Sequence, residues 1–244
     1  MMIGKFAIGL ALGACTIAVP LAASTAATKE LKVKVDSIKQ GAMIPDKFAF
    51  CQAAAQGHVG PGKDISPRIA WSAGPKGTQS YVVIVNDTDS PKTERDKINK
   101  EGMTVPATAE RQTFYHWVLA DIPANVRALK EGSGSKERVV HGKQASAATV
   151  GKPGLNMFTN VFAANEALKG KYYGYDGPCP PWNDENVHHY HFMVYALSVK
   201  SLDLPVDFDA PAVVEAMKGK VLAEGEFNAN FVTNPAKGAK VPKK

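Results

Sequence analysis

The stretch from Tyr172 to Leu197, YYGYDGPCPPWNDENVHHYHFMVYAL, constrains the fold of this chain more than any other. Asp176-Gly177-Pro178 and Pro180-Pro181 cannot continue a helix or a sheet ladder, because proline fixes φ and lacks an N–H donor. They predict a rigid loop. After Val187 the chain alternates aromatic, β-branched and small residues, as a half-buried strand does. A stiff loop feeding His188, His189 and His191 into a strand can build a pocket wall, or it can be a core strand with incidental histidines. Both readings are open at this point.

Composition narrows the class. In 244 residues, 45% are hydrophobic and 21% charged, which fits a globular protein with a sizeable core. The net charge of +6 is partly carried by Lys237, Lys240, Lys243 and Lys244 near the C-terminus, beside Pro235 and Pro242. We therefore read residues 233–244 as a flexible basic tail. No basic stripe of the kind a nucleic-acid interface needs is visible, so nucleic acid is not an expected partner.

Residues 1–26 read as a signal peptide removed on export. A positive start, Met1 to Lys5, precedes an apolar run from Phe6 to Leu21 and the small residues Ala22, Ala23, Ser24 and Ala26. Gly4, Gly9, Gly13 and Pro20 interrupt that run, which argues against a retained transmembrane anchor. The mature chain, with its domain over residues 27–232, is expected in the periplasm or outside the cell. The alternative is a lipoprotein anchored at Cys15, because Leu12-Gly13-Ala14-Cys15 resembles a bacterial lipoprotein cleavage site. Cys51 and Cys179 then remain, and an oxidising compartment permits one bridge or two buried thiols.

In chain order, Leu31 to Val35 alternates apolar and basic residues and predicts a strand. Residues 51–62 read as a loop in which His58 is solvated. Ser66 to Trp71 starts another strand, and Ser80 to Asn86, SYVVIVN, is a β-branched run suited to a buried central strand. It ends in Asp87-Thr88-Asp89-Ser90-Pro91, where the carboxylates are ligands, general acids or turn formers. Residues 92–112 form a long polar excursion with a short helix near Glu94 to Lys100. Phe114 to Asp121 is a strand holding His116 among aromatics. Another short helix is expected around Ala163 to Leu168. The strand from Val187 should run on through Ser198 to Leu204. Asp209-Ala210-Pro211 caps a helix with Val213, Val214 and Met217 on one face. Gly225 to Phe231 is a last strand. The expected fold is mainly β, one antiparallel domain with few helices.

Strand period two places His188, Tyr190 and Phe192 on one face and His189 and His191 on the other. The three histidines therefore do not converge, and no metal site is assigned.

SPRIAW, the buried strand ending DTDSP, FYHW, and YDGPCPP followed by HHYHFMVYAL together resemble the phosphatidylethanolamine-binding protein family, in its bacterial Raf-kinase-inhibitor-like branch. The four motifs occur in order across residues 31–231. The resemblance implies an antiparallel two-sheet fold with a few peripheral short helices and a pocket for phosphate-like anions or phospholipid head groups. Its implied ligand-binding set is Asp87, Asp89, Pro91, His116, Gly177, Pro178, Pro180, His188 and Tyr190. It implies a cis bond before Pro91, and it favours a Cys51–Cys179 bridge. The pattern departs at DTDSP, which lacks a first proline. It departs again at Asn186-Val187-His188-His189-Tyr190, where a glycine is lost and histidine replaces arginine.

The leading expectation is an exported binding protein for a small anion or phospholipid head group. It has no cofactor and no catalytic residues, since no nucleophile–base–orienter set is visible. The alternative is an inhibitor or regulator of an extracytoplasmic protease or other protein partner. An acid–base or metal-assisted hydrolase built on Asp87, His116 and His188 is a third reading.

Overall fold

The computed structural model describes residues 29–145 and 150–239. The expected signal peptide, Cys15 and the last residues of the basic tail lie outside the described residues. The strands are β1 (Lys29–Glu30), β2 (Val33–Val35), β3 (Cys51–Ala53), β4 (Val59–Pro61), β5 (Ile69–Trp71) and β6 (Ser80–Pro91). They continue with β7 (Arg111–Pro123), β8 (Ala128–Leu129), β9 (Lys152–Pro153), β10 (His188–Leu197) and β11 (Val221–Phe231). Two α-helices are present among the described residues, α1 (Phe158–Val161) and α2 (Ala210–Met217). One sheet runs β1-β11-β10-β6-β7-β9, a second β2-β5-β8, and β3-β4 is a hairpin. Every pairing is antiparallel except the short β1–β11 edge. The fold is mainly β, as expected.

The SYVVIVN run is continuous because β6 is covered on both faces. Tyr81, Val83 and Val85 join the core between the two larger sheets, with Trp71, Trp117, Leu119, Phe192 and Val194. Val82 and Ile84 face the other way, against Leu197, Val213 and Met217. Helix α2 closes that second core. Asp209 caps it by accepting from the Ala212 N–H at 3.1 Å, and Pro211 sits in its first turn, where no donor is needed. Its buried stripe is Ala210, Val213 and Met217. Val214, expected on that face, is 42% exposed because it lies about 100° round the helix from Val213.

Other expectations shift. The Leu31–Val35 strand splits into β1 and β2, with buried Leu31 bonding Glu224 between them. The excursion holds one 3₁₀ turn, Arg95–Lys97, in place of a helix, and residues 163–168 are turns while the helix forms earlier as α1. Strand β10 stops at Leu197, because the Gln79 and Ser80 side chains take the Ser198 and Val199 carbonyls. Strand β11 starts at Val221, before Gly225. Thr233 and Asn234, assigned to the tail, are instead packed: their side chains donate to the Pro180 and Asp184 carbonyls at 2.7 and 2.8 Å. The Ser90–Pro91 peptide is trans, contrary to the resemblance. Pro91 is the last residue of β6, opposite Arg111, and its carbonyl accepts from Gln112, so the chain stays extended there.

The proline loop is fixed from behind. The Pro178 carbonyl accepts from the Phe50 and Cys51 N–H groups at 3.0 and 3.2 Å. Gly177 fits because a Cβ there would stand 2.0 Å from the Phe48 carbonyl oxygen. Cys51 and Cys179 are joined, with Cα atoms 5.0 Å apart and a sequence separation of 128. Closing a loop of that length removes unfolded-chain entropy worth about 5 kcal/mol. Urea unfolding of a Cys51→Ser/Cys179→Ser double variant should therefore show a loss of about that size, and an unchanged midpoint would refute the clamp.

Candidate functional site

Three neighbouring strands set the site. In the ladder, Asp87 of β6 lies opposite Tyr190 of β10 on one side and Phe114 of β7 on the other. His188 and His116 stand two positions along their strands from that rung, so strand period two turns them to the same face. The proline loop closes over them. The result is a cavity of about 170 Å³ lined by Asp87, Pro91, His116, Pro180, His188 and Tyr190. Phe114, Phe158 and Phe162 give it an aromatic wall, and Arg95, Ile98 and Asn99 edge it from the excursion.

The two histidines are opposites. His188 is buried between carboxylates, with Nδ1 2.7 Å from Asp87 and Nε2 3.3 Å from Asp184. Burial works against its charge, but Asp87 and Asp184 outweigh it and raise its pKa to about 9. It is an imidazolium with both N–H groups engaged. Asp184 is also desolvated, yet His188, then Arg111 in a two-pronged pair at 2.6 and 3.1 Å, hold its pKa below the usual value. His116 is equally buried but lacks such a partner. Desolvation lowers its pKa, and Nδ1 lies 2.8 Å from the Asp176 carbonyl, which can only accept. Nδ1 therefore carries the proton, and Nε2 is left as an acceptor.

The Tyr190 hydroxyl is buried beside the Asp87 carboxylate but makes no well-formed hydrogen bond among the described residues. Burial, then the charge of Asp87, push its pKa well up, so it stays a neutral O–H donor.

Not every residue expected in the site reaches the cavity. Asp89 would face the same side as Asp87 in a regular strand, but the register shifts between Asp87 and Ser90. Its N–H bonds the Asp87 carboxylate, and its own carboxylate accepts from the His189 N–H and lies 2.9 Å from the His189 ring. Gly177 and Pro178 stand behind the wall. The Gly177 N–H donates to Asp64 at 2.7 Å. Asp64 is buried beside Asp176 and Lys143, and burial, then Asp176, hold its pKa well above the usual carboxylate value. His189 and His191 lie on the outer face, paired with Asp89 and Glu226. Among the described residues no three metal-ligating side chains converge.

The sequence reading missed Arg95, Asp184, Arg111 and the α1 aromatics. Asp184 and Arg111 meet across 73 residues, a separation no local pattern reports. His58 is exposed, as read, and in addition stacks on Trp182 with ring centres 3.8 Å apart and reaches Glu101 at 2.7 Å. The rigid proline loop supplies the flat partner it needs.

The profile of the family described as phosphatidylethanolamine-binding protein matches residues 34–232. A UPF0098 protein of Aquifex aeolicus is 35% identical over 191 residues, covering 78% of this chain and 82% of the relative. The Escherichia coli protein YbhB is 27% identical over 71% of this chain and 82% of its own length. Among solved structures, E. coli YbcL, described as a new member of the mammalian family, aligns with a TM-score of 0.59 at 24% identity, over 83% of this chain and 98% of that one. A homologue from Chlamydia trachomatis gives 0.52 at 24%, over 84% and 98%. At that identity the structural likeness concerns the fold.

His188 makes stability pH-dependent with a defined sign. Its pKa rises from an ordinary 6.5 to about 9, so its contribution is complete below pH 6.5 and disappears as pH passes 9. The shift corresponds to about 3 kcal/mol. Denaturation midpoints should fall across that window in the wild type, and the slope should flatten in His188→Gln. Histidine NMR at pH 7.5 should show the His188 ring doubly protonated and the His116 ring neutral with its proton on Nδ1; a neutral His188 would refute the assignment.

Proposed function

This chain belongs to the phosphatidylethanolamine-binding protein family, and on that premise we propose that it is an exported binding protein for a small phosphate-bearing ligand, a free phosphomonoester or a phospholipid head group. The observation that carries the reading is the Tyr190 hydroxyl, a buried donor that faces the cavity beside Asp87 without a well-formed hydrogen bond. A phosphoryl oxygen supplies a better-placed acceptor. The neutral His116 Nε2 offers the reverse polarity and accepts from a protonated phosphoryl O–H or an ammonium. Asp87 does not repel an anion as a bare carboxylate would, because the His188 imidazolium neutralises it at 2.7 Å. The phenylalanine wall suits the carbon part of the ligand.

The same contacts argue for binding over turnover. His116 Nδ1 is held by a carbonyl and His188 by two carboxylates, so neither ring is paired with a hydroxyl or thiol to activate. Export is supported by the sequence of residues 1–26 and by the Cys51–Cys179 bridge, which needs an oxidising compartment.

The test is a heteronuclear NMR titration of residues 27–244 with O-phosphorylethanolamine and with inorganic phosphate, repeated on Tyr190→Phe. Saturable shifts at His116 and Phe114 are expected, with affinity about tenfold weaker in the variant. Affinity should also fall as pH rises through about 6, where the phosphoryl group loses the proton that His116 accepts. No saturable shift at millimolar ligand would overturn the reading.

A further inference from the structure

We infer that Arg95, carried over the cavity mouth by the 92–110 excursion, is the residue that holds the ligand's negative charge and favours phosphomonoesters over phosphodiesters. This inference rests on the phosphate-binding reading above.

The charges already in the wall cancel one another. His188 is committed to Asp87 and Asp184, and Arg111 is committed to Asp184 and to the Asp89 and Pro106 carbonyls. Tyr190 and His116 are neutral. Of the cationic side chains near the mouth, Lys92 and Lys97 are paired with Glu110 and Glu94. Arg95 also lines the cavity, is exposed, and its guanidinium has no ion pair or hydrogen bond among the described residues. A bound phosphoryl anion therefore finds its counter-charge at Arg95 or at no other lining residue described.

The excursion is built to hold that position. Glu94 takes a left-handed conformation, φ 59°, at the start of the single 3₁₀ turn, an uncommon backbone for a non-glycine residue. The turn is then stitched to the proline loop by two asparagines. Asn183 donates to the Lys97 and Met103 carbonyls at 2.9 and 3.0 Å and accepts from the Asn99 N–H at 2.9 Å. Asn99 in return accepts from the Trp182 N–H at 3.0 Å. Val105 pairs with this loop as well, its N–H donating to the Asn183 carbonyl. The mouth is thus a fixed collar joined to the opposite wall of the cavity, and the guanidinium starts from a defined place.

The guanidinium also sets the ligand class. Its planar fork binds two terminal oxygens at once. A monoester keeps two such oxygens for Arg95 after Tyr190 takes the third, whereas a diester has only two in all. Lysine at this position would keep the charge but lose the fork.

The experiment compares O-phosphorylethanolamine with the diester glycerophosphoethanolamine, by NMR titration of wild type, Arg95→Gln, Arg95→Lys and Tyr190→Phe. We expect Arg95→Gln to bind the monoester about tenfold more weakly, to lose most of the monoester preference, and to show a shallower salt dependence. Arg95→Lys should keep the salt dependence and lose the preference. Thermal unfolding of both should match wild type, because Arg95 is exposed and unpaired. Equal monoester affinity in wild type and Arg95→Gln, with Tyr190→Phe still impaired, would overturn the role of Arg95 and leave the phosphate pocket standing. Absence of binding in wild type would overturn both.

Discussion

Four charged groups alternate through the buried corner where β6, β10 and the proline loop meet: Asp87, His188, Asp184 and Arg111. Each cation lies between acceptors and each carboxylate beside a cation, so a set of groups that would be costly to bury singly is tolerated together. The chain of contacts also links elements far apart in sequence. It ties the end of β6 to the start of β10, and through Arg111 it ties both to β7 and to the Pro106 carbonyl of the excursion. Removing one member would leave its neighbour charged and unpaired in the interior. The cavity geometry depends on this arrangement more than on any hydrophobic contact.

That arrangement explains why two similar histidines behave differently. His188 is surrounded by negative charge and serves as fixed structure. His116 faces a backbone carbonyl and aromatic rings, stays neutral, and keeps one nitrogen for a ligand. In the proposed binding mode a ligand meets a phenol donor, an imidazole acceptor and a carboxylate already neutralised. Asp64 and Asp176 apply the same logic behind the wall. A raised pKa on Asp64 beside Lys143 lets two carboxylates anchor the loop that carries the His116 acceptor.

Much of the scaffold was legible. The β-branched run of β6, the alternation of β10 and the Asp209-Ala210-Pro211 cap are local patterns with direct physical causes, and each formed, although β6 runs on to Pro91 and β10 stops at Leu197. Strand period correctly put His188 and Tyr190 together and His189 and His191 apart. The same rule failed at Asp89, because a register shift next to Asp87 breaks the period. The helical reading failed for Val214 because the buried stripe of α2 is narrower than the run of apolar residues. The Ser90–Pro91 bond followed the straight strand, where the resemblance implied a cis turn.

By itself the sequence determined the mainly β class, the rigid proline loop and the residue types that reach one cavity, since proline, β-branching and strand period act over a few residues. Only the tertiary structure decided what those residues do. The Arg111–Asp184 pair, the Cys51–Cys179 bridge and the Asn183 stitch to the excursion all join positions far apart in the chain. Protonation state depends on such neighbours through burial and charge, so a histidine's role is set by the fold around it and not by the residues beside it in sequence.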